Sequence, residues 1–211
     1  MVEKKIRRQE DMDESGSERE LILHAKDGNV EAFTNLVELY QVPVYNLCYR
    51  MLGNLEQAED AAQETFLKAY KGLRRYDPDR CFSTWLLSIA SHQCIDWLRR
   101  KRLSIFSLEQ LLPSQQKPDA KLGPEETLVL NERQLKVREI LNRLGTRDRA
   151  LVVLHYWYDL SYEDIAQSLS LSTSAVKSRL YRARRQLAQI WMERETVALT
   201  ARGKRDEASA F

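Results

Sequence analysis

Three groups of residues in this chain have the types and spacing to do chemistry. The first is Asp60-Ala-Ala-Gln-Glu-Thr-Phe66, which puts Asp60, Gln63 and Glu64 on one exposed face of a helix. Paired carboxylates serve acid–base catalysis when a nucleophile or a pocket accompanies them. None does here: no His, Cys or Ser nucleophile stands beside them, and the chain has no nucleophile elbow, P-loop, dinucleotide-binding glycine pattern or HExxH. The reading is a docking face for a basic partner, with a solvated face as the plain alternative. No catalytic residue, metal ligand or cofactor is expected.

The second group is aromatic. Tyr76, Phe82, Trp85 and Trp97 lie among Arg74, Arg75, Arg80, Arg99, Arg100 and Lys101. Rings stack on unpaired bases at roughly 1–3 kcal/mol each while cations follow the phosphates, so the pattern suits single-stranded nucleic acid. Tyr76 and Phe82 border a turn and are expected on the surface, while Trp85 and Trp97 divide between core and surface.

The third group is a helix-turn-helix. Ser161-Tyr-Glu-Asp164 is a capping box with Asp in place of the usual Glu or Gln. Ile165, Ala166 and Leu169 form an inward face, Ser170-Leu171-Ser172 the turn, and Val176, Leu180, Ala183 and Leu187 the inward face of a second helix. Ser170 stands where many such turns have Gly, which puts slight strain on the turn. Outward lie Ser174, Lys177, Ser178, Tyr181, Arg182 and Arg185. A helix enters the major groove of B-DNA and reads bases from its N-terminal half. Lys177, Ser178, Tyr181 and Arg182 are placed to reach base edges. Arg179, Arg184 and Arg185 are better suited to phosphates, which fix register without reading sequence.

The elements that must position these groups are helical. The chain has 211 residues, 43% hydrophobic and 30% charged, with only 7 Gly and 5 Pro. All-β architectures need many turns, so an all-α fold is expected: two small helical domains joined by a flexible linker, the second holding the helix-turn-helix. Apolar residues at Phe33, Leu36, Val37 and Tyr40, then Val44, Leu47, Cys48 and Met51, recur at helical spacing, with Pro43 expected to kink or split that helix. Further helices are expected over about 56–75, 82–101, 124–144, 147–158, 162–169 and 173–193, with Gly145 as a C-cap. The expected organisation is a disordered arm over 1–18, a domain over 19–102, a linker over 103–123 with a short helix near 107–112, a domain over 124–193 and a loose tail over 194–211.

Net charge is +2, but its distribution is uneven. Residues 165–192 carry five bases and no acid, 51–67 four acids and no base, and 68–76 four bases and no acid. Such segregation suggests more than one macromolecular partner. Cys48, Cys81 and Cys94 have no CxxC spacing and are expected as small core thiols in a reducing compartment. No stretch approaches the roughly 18–20 unbroken apolar residues of a membrane span. The N-terminus has no apolar signal region, so a cytoplasmic location is expected.

The three groups, in this order and split by a linker, resemble the extracytoplasmic-function (ECF) group of bacterial RNA polymerase sigma factors. The matching text is Asp60–Tyr70, Phe82–Ala90, Asp96–Arg102, Leu160–Ala166 and Val176–Arg184. The resemblance implies that Asp60, Gln63, Glu64 and Phe66 contact core polymerase. It implies that the 76–83 loop (Tyr76, Arg80, Phe82) and the following helix (Trp85, His92, Gln93, Asp96, Arg99, Arg100) handle melted −10 DNA. It also implies that Lys177, Ser178, Tyr181 and Arg182 read the −35 duplex. Related factors often carry Asn where this chain has His92, so no −10 consensus is transferred. Such factors lack the middle domain of housekeeping sigma factors, and twenty flexible residues reach at most about 65–70 Å. The partners implied are core RNA polymerase, promoter DNA and an anti-sigma protein. A free monomer that binds DNA poorly is expected. An autonomous repressor would need a dimerisation element and a palindromic site, and neither a zipper nor a ligand domain is visible. An adaptor protein would have no use for the recognition helix.

Overall fold

The computed structural model describes the backbone of residues 11–109 and 132–208 and the side chains of 17–102 and 135–193. Among the described residues, four helices form a first module: α1 (Asp11–Lys26), α2 (Val30–Leu52), α3 (Leu55–Gly72, continued by a 3₁₀ turn Leu73–Arg75) and α4 (Phe82–Glu109). Four more form a second: α5 (Glu132–Asn142), α6 (Thr146–Trp157), α7 (Tyr162–Ser168) and α8 (Thr173–Ala208). Among the described residues there is no strand, and no helix is long and apolar enough to cross a membrane.

Local chemistry sets the helix ends. Asn29 accepts the Ala32 N–H at 3.0 Å to start α2, and Asn54 accepts the Gln57 N–H at 2.8 Å to start α3. Between them Gly53 takes φ +72 and donates to Tyr49 O at 2.8 Å, a left-handed cap that glycine adopts without steric cost. Two residues thus end one helix and begin the next.

Several boundaries differ from expectation. Pro43 lies inside a continuous α2, so the helix is not split. The helix α1 starts at Asp11, inside the segment expected as an arm. The helix α4 runs to Glu109, into the expected linker, and α8 continues to Ala208 through the expected tail. Most of the linker, the end of the expected short helix and the start expected at Pro124 lie outside the described residues. Gly145 has φ −58 and precedes α6 as its N-cap, so it closes no helix in the left-handed conformation.

The core is continuous across both modules. Leu36, Val44, Leu47, Met51, Leu73 and Leu86 fill the first, and Leu151, Leu154, Ile165 and Leu180 the second, in one contiguous apolar cluster. The helix α6 is the reason. Five successive residues, Ala150 to Leu154, are all buried. A helix apolar all round must be covered all round: α7 and α8 pack on it from its own module, and α2 and α4 from the other.

Candidate nucleic-acid interface

The helix-turn-helix forms as its spacing predicts. The Asp164 N–H donates to Ser161 Oγ at 3.0 Å, and the Ser161 N–H donates to Asp164 Oδ2 at 3.4 Å. Leu171 N–H closes the turn on Ala166 O at 2.8 Å. Ser170 takes φ +53, the left-handed conformation that makes glycine common there. Ser172 Oγ accepts the Ala175 N–H at 3.2 Å and caps α8. Ile165, Ala166, Leu169, Val176, Leu180 and Ala183 are buried between the helices.

On the outer side of α8, Ser174, Lys177, Ser178, Tyr181, Arg182 and Arg185 are all exposed, Tyr181 at 60%. Two arginines are occupied otherwise. Arg179 is half-buried in an ion pair with Asp148 at 2.8 Å, which ties α8 to α6. Arg184 donates to the Tyr156 hydroxyl at 2.6 Å and the Tyr162 hydroxyl at 3.3 Å, and these bonds raise its pKa. Lys177 Nζ lies 5.9 Å from the Tyr162 ring. Tyr156 and Tyr162 were not singled out from the sequence. The signal was their placement at the end of α6 and the start of α7, flanking the basic face.

The aromatic group is arranged differently. Tyr76 and Phe82, expected on the surface, are each 4% exposed. Their rings pack edge-on at 5.4 Å, Tyr40 from α2 lies 5.4 Å from Phe82, and Trp85 lies 4.8 Å from Tyr76. The Tyr76 hydroxyl donates to Arg80 O, and Lys26 Nζ donates to Tyr76 O at 2.7 Å. Burial, with the nearby Cys81, Glu18 and Asp77, pushes the phenol up to about 12. The surface of this region is instead Arg80, His92, Asp96, Arg99 and Arg100, with Trp85 and Trp97 half-buried and Lys101 5.4 Å from the Trp97 ring. Gln93 is buried and accepts a hydrogen bond from Lys68. His92 Nδ1 donates to Ser88 O at 2.9 Å, and Arg99 pairs with Asp96 at 3.7 Å.

Two of the three cysteines, Cys48 and Cys94, are core thiols as expected, and Cys81 is exposed. Burial pushes the Cys81 thiol up. Hydrogen bonds from Ser83 and Thr84 at the start of α4 outweigh it and hold the thiol below its usual value.

On α3, Asp60, Gln63 and Glu64 are exposed on one face. Phe66 is half-buried against the core, while Leu67, overlooked in the sequence, is 54% exposed. Its position at i+3 and i+4 from Glu64 and Gln63 was the available signal. No group of three or more His, Cys, Asp or Glu among the described residues could hold a metal.

Comparison with known proteins settles the family. Residues 36–103 match the Sigma-70 region 2 family and residues 134–187 the Sigma-70 region 4 family. The chain is 36% identical over 172 residues to the ECF RNA polymerase sigma factor SigW of Bacillus subtilis, covering 79% of this chain and 92% of that one. Its fold is similar to CnrH in complex with the cytosolic domain of CnrY, with 25% identity and TM-score 0.61 over 83% of this chain and 97% of that one. It is also similar in fold to the sigma factor RpoE of Bartonella quintana in complex with the anti-sigma factor NepR, with 20% identity and TM-score 0.59 over 77% and 98%. These matches do not favour an autonomous repressor. The chain belongs to the ECF sigma factors, which direct RNA polymerase to promoters.

Proposed function

We propose that this chain works by three surfaces used together. Asp60, Gln63 and Glu64, extended by Leu67, dock on core polymerase, and Phe66 supports that face from beneath. Arg80, Trp85, His92, Asp96, Arg99 and Arg100 meet the melted −10 strand, with Tyr76, Phe82 and Gln93 shaping the wall behind them. Ser174, Lys177, Ser178, Tyr181, Arg182 and Arg185 meet the −35 duplex, while Arg179 and Arg184 hold the recognition helix in place and lend positive charge. Binding alone does the work, with no reaction catalysed, and the setting is the cytoplasm, where polymerase is. The free chain is a monomer of two domains, 19–102 and 124–193. An anti-sigma protein is a further partner, a reading supported by the similar fold of RpoE, which is bound to the anti-sigma factor NepR, and of CnrH, which is bound to the cytosolic domain of CnrY.

The observation that carries this reading is the acid-free outer face of α8, exposed from Ser174 to Arg185 on a capped helix-turn-helix. Two linked DNA-binding surfaces seated on one enzyme raise each other's effective concentration. The test is transcription in vitro with core polymerase and a random-promoter library. Start-site-specific transcripts, with both elements enriched at fixed spacing, are expected. Their absence on every template overturns the reading. Gln63→Ala combined with Glu64→Ala is expected to weaken retention on core enzyme without unfolding the chain, and unchanged retention overturns the docking assignment.

A further inference from the structure

We propose that Tyr156 and Tyr162 are positioning residues of the −35 surface: they hold the Arg184 guanidinium as a prearranged seat for one backbone phosphate of the duplex. The inference rests on the assignment of the outer face of α8 to −35 DNA, and deepens it.

Two arginines of α8 have opposite surroundings. Arg179 is half-buried, and the Asp148 carboxylate meets its charge at 2.8 Å. Arg184 is exposed, and the groups that hold it are hydroxyls. Its Nε donates to the Tyr156 hydroxyl at 2.6 Å and its Nη2 to the Tyr162 hydroxyl at 3.3 Å. Among the described residues no carboxylate pairs with it. A hydroxyl accepts these bonds without neutralising the cation. A guanidinium carries five N–H donors in a rigid planar fork. The tyrosines occupy the edge formed by Nε and Nη2. The edge formed by Nη1 and Nη2 is left for a ligand, and two parallel N–H groups match two oxygens of a phosphate.

The support is itself packed. Tyr156 lies near the end of α6 and Tyr162 opens α7, so the two hydroxyls reach α8 from two other helices. The His155 ring lies 4.9 Å from the Tyr156 ring and 5.2 Å from the Tyr162 ring. Its Nδ1 bonds Leu160 O at 3.2 Å. A carbonyl only accepts, so Nδ1 carries the proton and the imidazole is pinned behind both phenols. Lys177 Nζ lies 5.9 Å from the Tyr162 ring, so two cations two turns apart on α8 share one platform.

Placement favours phosphate over base. Base reading belongs to the N-terminal half of a recognition helix, whereas the first helix of the motif crosses the backbone. Arg184 lies about three turns past Thr173, where α8 starts, and touches the first residue of α7. A loose arginine loses rotamer freedom when it binds, and one already held loses less, so preorganisation raises affinity without a new contact.

The test uses holoenzyme and a −35 duplex in which one phosphate at a time is replaced by an uncharged methylphosphonate. Wild type is expected to lose affinity when the seated phosphate is replaced. Arg184→Ala is expected to lose sensitivity at that one phosphate, with a salt slope shallower by about 1. Tyr156→Phe with Tyr162→Phe keeps both rings and is expected to blunt the same sensitivity, with affinity about fivefold lower on every sequence variant. In an Arg184→Ala background the two phenylalanines are expected to change nothing further. A phenylalanine pair that matches wild type in affinity and phosphate sensitivity overturns the proposal. So does a further loss in the Arg184→Ala background, or a preference relaxed at one base position. If circular dichroism shows the pair unfolded, Tyr156→Phe alone, at a side chain 50% exposed, must blunt the same phosphate, and wild-type behaviour from it overturns the seat. Wild-type holoenzyme indifferent to any −35 element removes the functional assignment and the seat together, while wild-type binding with unchanged variants removes the seat alone.

Discussion

The two surfaces proposed to meet DNA are prepared to different degrees. The proposed −35 surface is finished: its helix is capped, its turn closed, and its outward side chains stand in solvent from Ser174 to Arg185. The proposed −10 surface is not. Its rings are packed on one another and on Tyr40, and α7 stands opposite Arg80. Duplex reading needs a rigid helix and no rearrangement. Capture of unpaired bases needs stacking surfaces, and exposed rings in the free chain would be an apolar liability. Packing these rings into a wall removes that liability in the free chain.

The largest expected effect tests whether the wall is core. Phe82→Ala removes a buried ring that touches Tyr40, Tyr76 and Trp85. A loss of about 3–5 kcal/mol in denaturant unfolding is expected. Tyr181→Ala, at 60% exposure on the other surface, is expected to stay within about 0.5 kcal/mol of wild type. Equal effects would erase the contrast between the two regions.

Alkaline pH probes the same wall. The Tyr76 phenol is raised from 10.0 to about 12, chiefly by burial. The folded state holds that proton more tightly than the unfolded state does. Its contribution is therefore fully present below pH 10 and is lost as pH rises through about 12. Unfolding midpoints measured across that window are expected to fall, and to fall less steeply in Tyr76→Phe. An identical slope in the variant would place the phenol outside the packed wall.

On the finished surface, Arg182→Ala is expected to cost about 1–3 kcal/mol on the −35 site and to relax preference at one base position. A uniform loss across all sequences would assign that side chain to phosphate instead. The measurement is competition binding against single-base variants of the −35 element, using holoenzyme.

Legibility in the sequence divides along the same line. The helix-turn-helix could be read because its determinants are local: Ser161 and Asp164 three apart, Ile165 to Leu187 at helical spacing, a serine where the turn bends. The wall could not, because Phe82 is covered by Tyr40, a residue of another helix distant in the chain. The docking of the two modules left one trace. The run Ala150 to Leu154 has no polar side, which a helix of an isolated module with one solvent face would require. Arg149 beside it gave no warning, since a charged residue reads as surface and this one is buried on carbonyls. Phe66 and Leu67 are neighbours in the chain but face different ways on α3: Phe66 is half-buried against the core and Leu67 is exposed.

The smallest expected effect asks whether the −35 surface is complete before DNA arrives. Ser170 holds φ +53, which costs a residue bearing a Cβ roughly 1 kcal/mol. Glycine relieves that strain but loses more chain entropy on folding, so Ser170→Gly is expected to gain only about 0.5 kcal/mol in thermal or denaturant unfolding. Affinity for the −35 duplex is expected not to change, because glycine keeps the φ +53 conformation that Ser170 already holds. If Ser170→Gly instead altered −35 affinity at constant stability, the turn would be moving on binding. The second region would then be an incomplete surface like the first, and the distinction between them would be one of degree.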